Sequence, residues 1–226
     1  MKLAKRIFAI LLLVTLCLSM VACAEIDVLG VTTPTTSLLH SNGSTSSDTK
    51  SSVDYRNDYF KYTCEVPDGW NVLNEDELAQ LVNVTNDALG DSKTSELIRE
   101  SLESGVNILD FYASSSDNTQ TINIVLSKSM GLDILLSERI LLNASTTLLV
   151  DSLENMGATN ISHNTSSVEF LGKKHMVLNV QGDFLGKTIY SSVFFLRKGL
   201  YRSTFTVSSP DLDACIDLLR FFHPID

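Results

Sequence analysis

Ser166-Ser167-Val168-Glu169-Phe170-Leu171, a Gly172-Lys173 turn, and then His175 to Gln181 open the stretch that decides the fold. In its second segment Met176, Leu178 and Val180 share one face. Gly182-Asp183-Phe184-Leu185-Gly186 links that segment to Lys187–Leu196, and Arg197-Lys198-Gly199 turns the chain into Leu200–Ser208. There Tyr201, Ser203, Phe205 and Val207 alternate with Arg202, Thr204 and Thr206. A period of two marks a half-buried strand, and short Gly-containing connections join antiparallel neighbours. The last third of the chain therefore reads as an antiparallel meander.

The same alternation appears upstream. Phe60, Tyr62, Cys64 and Val66 face one way and Lys61, Thr63 and Glu65 the other, until Pro67-Asp68-Gly69 ends the strand with turn residues. Trp70, the single tryptophan, follows. Val106 to Ala113 and Thr121 to Ser127 form a hairpin around the Ser114–Asn118 loop. Helical spacing fills the gaps. Asn74 caps a helix carrying Leu78, Leu81, Val82 and Leu89, and Glu75, Asp76 and Glu77 complement its positive end. These acids make a poor metal site, because consecutive helical residues point apart. Thr94 to Ser104 reads as a short helix and Ser137 to Met156 as the longest one. On the latter Leu142, Leu149, Leu153 and Met156 form a stripe that Ile140, Leu141 and Leu148 widen. Pro210-Asp211 starts a closing helix with Leu212, Cys215, Ile216, Leu219 and Phe222 on one face, and His223-Pro224 ends it. This order of elements predicts an α+β domain over residues 55–226, an antiparallel β-sheet flanked by helices. About 170 residues bury roughly 70% of their extended surface, enough for one core.

The N-terminal quarter is different in kind. Lys2, Lys5 and Arg6 precede the apolar run Ile7 to Val14, and Met20-Val21-Ala22-Cys23 closes it. A basic head and a short apolar run form a signal peptide over residues 1–22, too short for a comfortable membrane span. The closing tetrapeptide resembles the lipobox of bacterial lipoproteins, although Leu is usual where Met20 stands. That resemblance implies lipidation of Cys23, and two or three acyl chains such as palmitate hold a protein durably at a membrane. Ordinary secretion, with cleavage before Glu25, and a retained uncleaved helix are the competing readings. Residues 23–54 are rich in Ser and Thr, have no periodicity and bury little, so they read as a disordered tether. Their r.m.s. reach is roughly 30 Å.

The residues from Tyr55 to Asp226 resemble the PsbP-like family. The resemblance rests on the strand leading to Pro67-Asp68-Gly69-Trp70, the long central helix, the Gly172 and Arg197-Lys198-Gly199 hairpins, and the final helix reaching Phe221-Phe222. It implies an antiparallel sheet between helices, in a family of extrinsic photosystem II subunits and bacterial lipoproteins with accessory or binding roles. No photosynthetic site residue carries over.

Charge and motifs narrow the function. Removing Lys2, Lys5 and Arg6 with the leader takes the formal net charge from −10 to −13. Such a surface repels nucleic acid and anionic headgroups, so membrane contact is expected through the lipid and nucleic-acid binding is not expected. After acylation of Cys23, Cys64 and Cys215 remain, and they read either as a disulfide or as two buried thiols. No GxSxG, P-loop, GxGxxG or CxxC is present. His163 and His175 are placed to face each other across a hairpin, and His223 to sit at a helix end. Asp110 and Glu169 are the candidate strand acids. No cofactor or metal is expected. The sequence thus points to a lipid-anchored, non-enzymatic accessory or binding protein of the cell envelope. A protein partner would be met by a sheet face or by the loops beside Trp70. The alternative is an envelope hydrolase whose site is assembled from distant residues.

Overall fold

The meander forms, and its first three strands are longer than the alternation predicts. In chain order the elements are β1 (Tyr55–Asn57), β2 (Tyr62–Cys64), β3 (Asn71–Val72), α1 (Glu75–Ala88), β4 (Asn107–Ser114), β5 (Thr121–Lys128) and α2 (Glu138–Asn155). Then come β6 (Thr159–Phe170), β7 (Lys173–Phe184), β8 (Lys187–Lys198), β9 (Tyr201–Ser209), α3 (Leu212–Asp217), a 3-10 turn (Leu218–Phe221) and β10 (Phe222–Pro224). The structure is a computed structural model and describes residues 54–88, 96, 100, 104–129, 136–155, 157–184 and 186–225. The leader, Cys23 and the tether up to Val53 lie outside the described residues. So does most of the short helix expected over Thr94–Ser104, although Glu96 and Glu100 are helical and Ser104 N donates to Glu100 O.

Seven strands make one antiparallel sheet in the order β3-β4-β5-β9-β8-β7-β6. Phe170 pairs with Lys173 and Lys198 with Tyr201, so two-residue turns join these strands. The first turn is Leu171-Gly172, with φ of 49° and 73°, rather than Gly172-Lys173. Two positive φ values give the turn whose twist matches the flanking strands, and Gly172 supplies one at no steric cost.

Except along the β6 edge, both faces of this sheet are covered, which corrects the half-buried expectation for the meander. On one face α1 brings Leu78, Leu81 and Val82, and α2 brings Leu141, Leu142, Leu149 and Leu153, onto Leu109, Val125, Leu178, Val193 and Phe195. Beneath these helices Arg202 is only 1% exposed, and Thr204 and Thr206 are buried as well. Ile140, expected to widen the stripe of α2, instead stands half exposed, because the apolar arc ends at Leu141. On the opposite face Phe111, Ile124, Phe194, Phe205 and Val207 meet Tyr62, Cys64, Cys215, Leu218 and Phe222. Phe194 and Phe205 stack with centroids 5.0 Å apart, and Phe170 and Phe222 meet them edge-on. Offset and edge-on aromatic pairs of this kind add about 0.5–1.5 kcal/mol each beyond area burial.

The lid on the aromatic face is a second, three-stranded sheet, β1-β2-β10. Its middle strand is shorter than the expected Tyr59–Val66. Asn57 O accepts from Lys61 N at 2.8 Å, Asn57 Oδ1 accepts from Phe60 N at 2.9 Å, and Lys61 has φ +67°, so a turn replaces the first half of the strand. The closing helix is also cut short. Asp211 Oδ1 caps it by accepting from Ala214 N at 3.0 Å, but after Asp217 it tightens to 3-10 and then extends. His223 therefore lies in β10 opposite Thr63 and not at a helix end.

Candidate functional site

β6 ends the seven-stranded order, and among the described residues nothing pairs with its outer side. Ser162 to Ser167 are all exposed. This exposure explains why Thr159 to Thr165 escaped the sequence reading. A strand open to solvent on both faces carries no apolar alternation.

A groove of about 540 Å³ runs between β6 and α2. Burial of the Leu142, Leu149 and Leu153 stripe turns the other side of α2 toward it. Asn143, Thr147 and Asp151, four residues apart, form the outer row, and Thr146 and Val150 the inner row. From the strands come His163, Asn164 and Thr165, with Leu178 of β7 behind them. Thr146 Oγ1 donates to Leu142 O at 2.8 Å, which leaves its methyl and lone pairs for the groove. Asp151 is the one carboxylate of this lining. The arrangement is an amide- and hydroxyl-lined channel with a single fixed negative charge, an apolar patch at Val150 and the buried Leu178 as its floor.

On the other face a polar ladder crosses three strands to the same edge. Ser192 Oγ donates to Asn179 Oδ1 at 2.8 Å. Asn179 Nδ2 in turn donates to Asn164 Oδ1 at 3.1 Å and to Ser166 Oγ at 2.8 Å. Ser192 and Asn179 are buried and Asn164 and Ser166 exposed, so the ladder begins in the core and ends at solvent.

The residues that the sequence singled out lie elsewhere. Trp70 N donates to Pro67 O at 3.2 Å across a turn in which Gly69 has φ +87°, the left-handed conformation a type II turn requires. The indole, half-buried, meets Phe221 edge-on at 5.6 Å and closes one end of the aromatic core. Cys64 and Cys215 are buried free thiols of that same core. Burial raises both thiol pKa values, that of Cys215 to about 12, and Cys215 Sγ donates to Tyr190 O at 3.2 Å.

His163 and His175 do not meet. His163 stands opposite Val180, and His175 opposite Val168, five residues further along β6. An odd separation puts the two rings on opposite faces. His175 sits against Phe170 and Phe194, with Nδ1 3.4 Å from Glu138 Oε1, while Glu138 Oε2 accepts from Met176 N at 3.2 Å. Asp110 lies at a bulge in β4 and accepts a hydrogen bond from Tyr55 Oη, which in turn accepts from Asn57 Nδ2 at 3.0 Å. Burial raises the Asp110 pKa, and the Tyr55 hydrogen bond opposes that shift. The carboxyl in the apolar run Ile108-Leu109-Asp110-Phe111-Tyr112 was visible in the sequence, but its phenol partner was not. Among the described residues no group of three or more His, Cys, Asp or Glu side chains is placed to hold a metal ion. No described helix is long and apolar enough to cross a membrane.

Neither a protein-family model nor a curated protein matches the sequence. Solved structures do resemble the fold. The solution structure of cyanobacterial PsbP from Synechocystis sp. PCC 6803 is 14% identical, with a TM-score of 0.46 over 81% of this chain and 98% of that one. LpqN, involved in cell envelope biogenesis of Mycobacterium tuberculosis, is 13% identical, with a TM-score of 0.41 over 73% of this chain and 83% of its own. At these identities the likeness concerns the fold and assigns no activity.

Proposed function

We propose that this chain is a lipid-anchored accessory protein on the extracytoplasmic face of a bacterial cell envelope, presenting a non-enzymatic binding domain at the end of a short tether. The observation that carries this reading is Met20-Val21-Ala22-Cys23 at the end of a basic-then-apolar leader. The domain geometry suits it. The tether joins the folded part at Asp54, whose N donates to Cys64 O at 3.1 Å and whose Oδ2 accepts from Val66 N at 2.8 Å. Tyr55 then packs on Phe111 of β4. β6 lies five strands away in the sheet order, roughly 24 Å at the usual strand spacing. Attachment at one end of the sheet thus leaves the groove at the other end open.

Expression of the full chain in a bacterial host, with labelled palmitate and membrane fractionation, tests this. The parent is expected in the membrane fraction carrying label, and Cys23→Ser unlabelled and released from, or unprocessed at, the membrane. If both forms fractionate with membranes and neither carries label, the reading fails.

A further inference from the structure

We propose that β6 is a docking edge for an extended basic peptide segment of an envelope protein, taken up as an added strand with a Lys or Arg side chain lying in the α2 groove. The proposal deepens the reading above and rests on it only for where the partner is found.

The edge itself is the first argument. Exposed edge strands are normally kept short, or blunted by proline, lysine or bulges, because their free N–H and C=O groups template further pairing. β6 runs for 12 residues, against about 5–6 for a typical strand, and contains no Pro, Lys or Arg. Its one irregularity falls between Thr159 and Ser162, and from Ser162 to Phe170 the pairing with β7 is unbroken. A long regular edge left open in this way is the geometry that strand addition uses.

Charge selects the occupant. A second copy of this chain would bring a net charge of −13 against an equal charge. The chain's own tether carries Glu25, Asp27, Asp48 and Asp54 against the single base Lys50, so it has the wrong sign as well. A basic segment is drawn to the domain as a whole and to Asp151 in particular. The groove also fits the stem of such a side chain. Val150 and the threonine methyls line the path of the methylenes, and Asp151 receives the cationic head. On the reverse face the exposed ends of the ladder, Asn164 and Ser166, offer the next strand's Ser, Thr or Asn cross-strand partners.

The test uses the full chain as expressed, lipidated or not, in detergent and a fluorescent, end-blocked peptide of about ten residues in which Lys alternates with Thr and Val. Its Glu-for-Lys counterpart and an alternately N-methylated form serve as controls. The Lys peptide is expected to bind at least about tenfold more tightly than either control, with affinity falling as salt rises. Amide exchange is expected to slow over residues 162–168 and not over 66–72. Thr165→Lys with Ser167→Lys, both at exposed positions, is expected to weaken binding about tenfold at unchanged Tm. Asp151→Asn should narrow the gap between the Lys and Glu peptides. The proposal is overturned by equal binding of the Glu or N-methylated peptide, by no binding of any peptide, or by protection centred on Trp70. Concentration-dependent protection of β6 without peptide would overturn it in favour of a second copy. If the lysine variant does not fold, the N-methyl comparison on the parent chain still decides. Because the assay contains no bilayer, a failed localisation experiment leaves its result intact.

Discussion

In Ile108-Leu109-Asp110-Phe111 a regular strand would turn Leu109 and Phe111 to the same face. The bulge at Asp110 separates them, so Leu109 packs under the helices and Phe111 joins the aromatic core. The cost falls on the carboxyl, which burial holds above its ordinary pKa. Raised in the folded state, that pKa means the native protein binds the proton more tightly than the unfolded chain does. Asp110 therefore contributes most stability below the ordinary carboxylate pKa, and that contribution is lost as pH rises through the raised value. Asp110→Asn keeps an acceptor for Tyr55 and removes the charge. It is expected to be more stable than the parent at neutral pH, with the difference closing as pH falls into the ordinary carboxylate range. Urea midpoints across that range measure it, and a pH-independent difference would count against burial as the cause.

At the scale of elements, local chemistry sets where the helices begin. Asn74 and Glu77 form a reciprocal cap, with Glu77 N donating to Asn74 Oδ1 at 3.1 Å and Asn74 N to Glu77 Oε2 at 2.9 Å. The acid run is thus helix-end chemistry, as its position implied. Asn74→Ala is expected to cost about 1 kcal/mol, read from the urea midpoint. No change would mean that water satisfies the helix end equally well. The last element obeys different rules. Apolar spacing continues helically to Phe222, yet the chain leaves the helix because β2 needs a second partner. Glu65 N donates to Phe221 O and Ile225 N to Lys61 O, at 2.9 and 3.0 Å, along the new pairing.

For the whole molecule the decisive feature is one sheet serving two cores. β5 and β9 send Val125 to the helix side and Ile124, Phe205 and Val207 to the aromatic side. Neither core can dissolve without breaking strands the other uses. Leu149→Ala, beneath α2, is expected to cost about 2–5 kcal/mol, and Phe205→Ala, on the opposite face, about 3–5 kcal/mol. Each should lower a single, shared transition seen alike by near-UV and far-UV circular dichroism, with the slowest amide exchange in β5 and β9. Two separable transitions would show that the faces fold independently.

Alternation, caps and turn residues lie within a few positions of one another. The antiparallel class, the four-strand meander, the Asn74 cap and the start of the closing helix at Pro210-Asp211 could therefore be read from the sequence alone. What lay beyond it depends on contacts between residues far apart in the chain. These include the strand order, the second cover over Arg202 and Thr204, and the pairing of β10 with β2. The phenol that meets Asp110 belongs to the same set, as does the edge at β6. Burial of a polar row such as Arg202-x-Thr204-x-Thr206 is decided by what lies on top of it. Periodicity along one strand shows which residues share a face, but only the packed layers determine whether that face meets water.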